Sequence, residues 1–350
     1  MIQANTSSDN RSSLPPQSRR RLRQQYLLCT DPEEYRQHGL GPLPADANGR
    51  SLYLDLVKRA VCNILYEDLP DIFYDHNRRP MLATDFDLTR RVWGEDLPSA
   101  AHTMVGVKRL ENVQHCIEEI LREKVPGDLV EAGVMCGGAA VFMRACLKAY
   151  NITDRRVFAC DAFVPPRPPI PFLLRLLGRT VLFTLASIPN RLWQRWLFFR
   201  CQALQGDYRA FPDCEDPSDD LIHFTMWMLR HPSVAFRRRA TGLNNVCSHF
   251  ARYGLLDDQV VLLQGFFSET LPKAPLRDVA VLRLDGDTFE GTMDVMNLLY
   301  PKLASGGFCI IDDYHSFSDC RRAVDLYRDE HKIKDKMEPI DNLAVFWRKS

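Results

Sequence analysis

The sequence predicts an α/β fold: a doubly wound, mostly parallel sheet with helices on both faces. Short apolar runs recur at Asp128–Val134, Arg156–Asp161, Val260–Gly265, Val279–Asp285 and Phe308–Asp313, several of them ending in Gly or Asp. Helical patterns fill gaps between and after them, at Ala139–Ala149, Met293–Leu303 and Cys320–Glu330. Continuous apolar runs suit strands buried on both faces, and their alternation with helices implies a sheet whose ligands sit at the carboxyl ends of its strands. A third observation comes from the C-terminus. About Lys332–Pro339 and Leu343–Arg348 are joined by Ile-Asp-Asn, which predicts a closing antiparallel pair that an ordinary dinucleotide fold does not require.

In chain order, residues 1–50 carry turn residues, an RRRLR cluster and no sustained period, and read as a flexible basic leader, either a floppy tail or a transit-type segment. The globular domain then spans 51–350, with N-terminal helices over 51–125 and the core over 126–350. Residues 52–66 bring Leu52, Leu56, Val57, Ala60 and Leu65 near one face at helical spacing. A second helix is expected from Val107 to Lys124, stopped by Pro126-Gly127. Between the second and third core strands, about residues 164–245 are too long for a loop and read as a structured insertion.

Composition narrows the partners. The 350 residues are 45% hydrophobic and 26% charged, with 45 basic residues balancing 45 acidic ones, so no global field exists to hold nucleic acid. Eleven cysteines without a CxxC pair, and no secretory pattern at the start, suit reduced thiols in a cytoplasmic chain. The apolar stretch 171–199 is broken by Arg175, Arg179, Arg191 and Arg195, and its longest uncharged piece, Thr180–Asn190, falls short of the roughly 20 residues a spanning helix needs. Residues 167–209 hold seven arginines against one acid, Asp207, among Phe172, Phe183, Trp193, Trp196, Phe198 and Phe199. A basic amphipathic segment of this kind, centred on 170–200, fits peripheral contact with a membrane surface, a lid over an apolar acceptor, or the subunit contact of a homo-oligomer.

Three constellations carry chemistry. Glu131, Gly133, Gly137 and Gly138 lie in EAGVMCGG at a strand-to-helix turn, where glycines let the backbone approach a ligand and the helix N-terminus adds partial positive charge. The spacing is not GxGxxG. Asp161 ends the next strand, where a carboxylate can accept from both hydroxyls of a ribose, or cap a helix. Together they point to a nucleoside-containing cofactor. Third, Asp285-Gly-Asp287 and Asp312-Asp313 end neighbouring strands. Carboxylates delivered to one rim repel one another unless cations or protons compensate them, so either a divalent metal of the Mg²⁺, Ca²⁺ or Mn²⁺ type or a salt-bridge network with Arg283 or Arg322 is expected.

These motifs belong to a wider pattern. TMVGVKRLENVQ (103–114), VPGDLVEAGVMCGGA (125–139), FARYGLLDDQV (250–260), the LRLDGD run and PKLASGGFCIIDDY (301–314) together resemble the macrocin O-methyltransferase family (TylF/MycF type). The likeness covers about 50–163 and 245–350. It implies a Rossmann-like class I methyltransferase fold, a seven-stranded mostly parallel sheet with a C-terminal antiparallel strand, which accounts for the closing pair. It also implies S-adenosylmethionine and Mg²⁺ as cofactors and a small-molecule hydroxylated acceptor, such as a sugar of a natural product.

Carried over by position, the resemblance implies that Glu131, Gly133, Gly137 and Gly138 shape the methionine side of the cofactor pocket. Asp161 would bind the ribose, and Thr103 and Met104 would lie near the cofactor. Asp285, Asp312 and Asp313 would be metal ligands, with Asp285 or His315 taking the acceptor's proton. MetCysGlyGly stands where TrpArgGlyGly is more usual, so one aromatic and one arginine contact are missing. Thr288 stands where the related catechol-type enzymes carry a lysine, which leaves no lysine base. A nicotinamide-dependent oxidoreductase and a non-catalytic scaffold are the rival readings. The first lacks its glycine motif and leaves the aspartates unexplained, and the second should have lost the site residues.

Overall fold

Strand alternation divides the protein into two cores. In β4 (Asp128–Ala132), β5 (Val157–Asp161) and β8 (Leu303–Ile311), Leu129, Val157, Ala159, Phe308 and Ile310 face one helical layer, while Val130, Phe158, Cys160, Cys309 and Ile311 face the other. Successive side chains of a strand point to opposite faces, so a run apolar at every position requires cover on both. The computed structural model describes residues 32–74, 80–163 and 242–350. The expected leader as far as residue 31 and the insertion over 164–241, with its basic aromatic segment, lie outside the described residues.

Seven strands form the main sheet in the order β6-β5-β4-β7-β8-β10-β9, with β6 at Val260–Gln264, β7 at Val279–Leu284, β9 at Glu338–Pro339 and β10 at Val345–Arg348. The first five are parallel neighbours. β10 runs antiparallel to both β8 and β9, which is the closing pair expected from the sequence. β8 begins at Leu303, earlier than the apolar run 308–313 suggests. Its register jumps from Leu303 opposite Val279 to Phe308 opposite Val281, and Ala-Ser-Gly-Gly occupies the irregularity. Glycines interrupt the apolar period there, and the strand start is invisible to it.

The first core is covered by α2 (Gly49–Val61), α4 (Gly106–Arg122), α5 (Gly138–Ala149) and α6 (Leu243–Arg252). The second is covered by α8 (Phe289–Leu299) and α9 (Ser318–Glu330), with the short α7 (Phe267–Thr270) beside them; the short helices α1 (Pro32–Gln37) and α3 (Leu88–Trp93) pack on the first core, where Leu88 and Val92 are buried. Trp347 of β10 lies in the second core and donates from its indole to the Tyr300 hydroxyl at 3.1 Å.

The face of α2 differs from the expectation. Leu54, Val57 and Val61 are buried, while Leu52 and Leu56 are 52% and 54% exposed. Two overlapping apolar stripes run along this helix, and packing against α5 selects the one centred on Val57. Residues 32–50 of the expected leader are also anchored: Leu40 is buried in the first core and its carbonyl accepts from the Arg59 guanidinium at 2.7 Å. A small antiparallel sheet, β2 (Pro80–Leu82), β1 (Ile72–Tyr74) and β3 (Asp96–Leu97), was not legible in the sequence, because strands of two or three residues carry no period.

Among the described residues no helix is long and apolar enough to cross a membrane. The described cysteines are all free thiols, and most of them are buried.

Candidate active site

The glycine turn and Asp161 meet at the carboxyl ends of β4 and β5. Backbone amides of Val134 and Met135 donate to one Asp161 carboxylate oxygen at 2.8 and 3.1 Å, and the Phe163 amide donates to the other at 3.0 Å. The oxygen that receives two amides is saturated, and the one held by Phe163 keeps a lone pair for a ligand hydroxyl. Met135 holds a left-handed backbone, φ 50°, where a non-glycine residue stores strain. Gly133 is fixed by crowding, since a Cβ there would stand 1.8 Å from the Asp285 carbonyl oxygen. At Gly138 a Cβ would stand 2.5 Å from the His102 carbonyl oxygen and 2.7 Å from the Thr103 Cβ. Thr103 therefore lies against the start of α5, just past Gly137, which sits at φ 86°. Met104 packs on Ile72 and Leu97 of the small sheet.

Glu131 and Arg283 are register partners on β4 and β7, on the face that also carries Leu129, Val281 and Ile310. Their side chains pair at 2.6 Å, fully buried. Burial pushes the Glu131 carboxyl up to about 8 against the pull of Arg283. The same guanidinium reaches Asp285 at 3.0 Å and Asp312 at 2.6 Å. From α4, Arg109 adds contacts to Asp312 at 2.5 Å and to Asp341, in the turn before β10, at 2.7 Å. Burial opposes ionisation of Asp312, but the two guanidinium groups outweigh it and hold the carboxyl below its ordinary value.

A different set forms the open cluster. Ligating oxygens of Asp285, Asp287 and Asp313 lie within 4.8 Å of one another. Asp312, expected as the third ligand, is turned towards Arg109 and Arg283, and Asp287 stands in the third place. Asp287 holds a left-handed backbone, φ 55°, in the tight turn between β7 and α8. Burial raises Asp285 well above the carboxylate range, and repulsion from Asp313 and Asp312 adds to it. Asp313 is pushed up to about 8 by burial and by Asp287 and Asp312. Three carboxylate oxygen donors this close together suit a hard divalent cation.

The other sequence candidates find ordinary places. His315 is exposed just after β8, its ring edge-on to Tyr314 at 4.9 Å. Thr288 is the N-cap of α8, accepting from the Gly291 amide at 3.1 Å, a role that a lysine could not fill. Arg322 pairs with Asp319 at 3.3 Å, so the salt-bridge network runs through Arg283 and not through Arg322. Sequence reasoning missed Arg109, Asp341 and a histidine pair, His102 and His249, beside the glycine turn. Arg109 sits within an apolar helical face, and that misfit was its one available signal.

Comparison with known proteins agrees with this geometry. Residues 50–173 and 235–349 match the macrocin O-methyltransferase (TylF) family. The mycinamicin III 3''-O-methyltransferase of Micromonospora griseorubida is 39% identical over 304 residues, 87% of this chain and 98% of that protein. A tetracenomycin 4'-O-methyltransferase of Streptomyces olivaceus, named for a dimethoxy-rhamnosyl substrate, is 39% identical over 86% of this chain and 94% of its own length. The solved structure of the O-methyltransferase NovP superposes with a TM-score of 0.62 at 33% identity, covering 86% of this chain and 99% of that one. Neither rival reading, oxidoreductase or scaffold, finds support among these relatives. The chain is a class I O-methyltransferase and belongs to the macrocin O-methyltransferase family.

Proposed function

We propose that this enzyme moves the methyl group of S-adenosylmethionine to a hydroxyl of a glycosylated small molecule, with a divalent cation held by Asp285, Asp287 and Asp313. One observation carries the metal: ligating oxygens of Asp285, Asp287 and Asp313 lie within 4.8 Å of one another at the carboxyl ends of β7 and β8. Mg²⁺ suits the all-oxygen donor set, and when bound it supplies Lewis-acid charge and a fixed point for the acceptor's oxygens. Names of the relatives support the acceptor class, one of them specifying a rhamnosyl group.

The chain's own residues then have separate tasks. The turn 133–138 and Asp161 bind the cofactor, with the remaining lone pair of Asp161 available to a ribose hydroxyl. Asp312, neutralised by Arg109 and Arg283, fixes the floor beneath the acidic cluster. Asp285 is placed to take the acceptor proton; S-adenosylmethionine, when bound, would supply the methyl group, its sulfur keeping the bonding pair as a neutral thioether. The place of Asp285 among the three clustered carboxyls puts it beside the proposed cation and the acceptor oxygen that the cation would hold. His315 is the second candidate base, disfavoured by its exposure.

The test is S-adenosylhomocysteine release over a panel of glycosylated acceptors, with and without EDTA. EDTA should abolish turnover, and undiminished turnover would sink the metal role. Asp285→Asn should lower kcat by about 10²–10⁴-fold with cofactor affinity nearly unchanged. Loss of folding in that variant would instead favour a purely structural network.

A further inference from the structure

Two elements far apart in sequence grip the cofactor turn. Within it the His249 ring on α6 approaches the Cys136 carbonyl, with Nδ1 2.7 Å from the oxygen. At its end the Gly138 amide donates to the His102 carbonyl at 2.9 Å. A carbonyl only accepts, so His249 Nδ1 carries the hydrogen. The two imidazoles stack on each other, centroids 4.0 Å apart and planes 22° from parallel. His102 Nδ1 lies 3.1 Å from the Tyr253 hydroxyl, one turn beyond His249 on the chain. Burial, with His249 and Arg252 adding repulsion, pulls His102 down to about 4, which keeps that ring neutral. Val246 of the same helix closes on the turn from the side, 2.9 Å from where a Cβ of Gly137 would stand.

We propose that His249 is a positioning residue for the cofactor: stacked on His102, its Nδ1–H fixes the Cys136 carbonyl and thereby the curvature of the turn that receives S-adenosylmethionine. This rests on the reading of residues 133–138 as the cofactor turn. The arrangement joins the segment before α4, the turn and α6 in one clamp. Curvature matters because the amides of Val134 and Met135 already hold Asp161, so a shift of the turn moves the ribose-side carboxylate with it.

The experiment is calorimetric titration of the full chain with S-adenosylhomocysteine, alongside thermal melts. His249→Phe keeps a ring to stack on His102 and removes the donor; Kd should rise about 5–10-fold, the worth of one buried hydrogen bond. His249→Asn restores an N–H near the Nδ1 position, and Kd should return to within about threefold of the original. Equal Kd for His249→Phe and the unaltered chain would overturn the proposal. So would an Asn variant as weak as the Phe variant with an equally lowered Tm, since that pattern marks a purely structural role. An unaltered chain that binds no S-adenosylhomocysteine would overturn the cofactor reading together with this one, an outcome distinct from either of the others.

Discussion

Arg283 spreads one positive charge over three carboxyl groups, Glu131, Asp285 and Asp312, at distances of 2.6 to 3.0 Å. It is the side chain on which the site's electrostatics turn. Replacing it with methionine keeps most of the volume but strands the buried Glu131, takes the guanidinium from Asp285 and leaves Asp312 with Arg109 alone. Arg283→Met should cost about 3–5 kcal/mol of stability, measured by urea unfolding, because breaking a buried pair leaves its partner uncompensated. A cost below about 1 kcal/mol would mean that the carboxyls are already protonated in the folded chain. The sequence disclosed Asp285, Asp312 and Asp313 as acids at strand ends but not how they divide. Strand position assigns a carboxylate to the rim; which of two adjacent aspartates is neutralised depends on Arg109, more than 200 residues away in the chain.

At the level of elements, α8 shows how a family position takes on a different job. Thr288 satisfies the Gly291 amide at the start of the helix that covers the second core. Thr288→Ala should lower stability by about 1 kcal/mol in denaturant melts and leave the pH dependence of catalysis unchanged. A large change in the pH profile would reopen a catalytic role there. Core strands were legible because both faces are apolar and the runs end at Gly or Asp. β8 was legible only from Phe308 onward, since the glycines before it break the period. For α2 the period was right and the face wrong, because two stripes competed and only the contact with α5 distinguishes them. The histidine pair could not be read, because His102 and His249 carry no shared motif and meet only through folding.

For the whole molecule, buried carboxyl groups with raised proton affinity link folding to pH and to cations. Glu131 and Asp313, ordinarily titrating near 4.5 and 3.8, are each raised to about 8 in the folded chain. A carboxyl raised on folding binds its proton more tightly in the native state, so its contribution is fully present below the unfolded value and fades as pH rises through about 8. A cation in the proposed cluster would take the place of the Asp313 proton. Mg²⁺ should therefore raise Tm more at about pH 8 than at about pH 6, in melts with EDTA as the reference. An equal gain at both would separate the cation from the acidic cluster.

The contact between Gly133 and the Asp285 backbone has a thermodynamic counterpart. The Asp285 amide donates to the Ala132 carbonyl at 2.8 Å, and its own carbonyl fills the space a side chain at 133 would need. The peptide that begins the proposed cofactor turn and the peptide that presents an aspartate of the proposed metal cluster are thus packed as one body. Two ligands sharing one body must influence each other reciprocally: whatever factor Mg²⁺ applies to the Kd of S-adenosylmethionine, the cofactor applies to the Kd of Mg²⁺. Titrating each ligand in the absence and at saturation of the other should return a single coupling factor above unity. A factor of one would mean that the two halves of the site adjust independently despite their shared backbone.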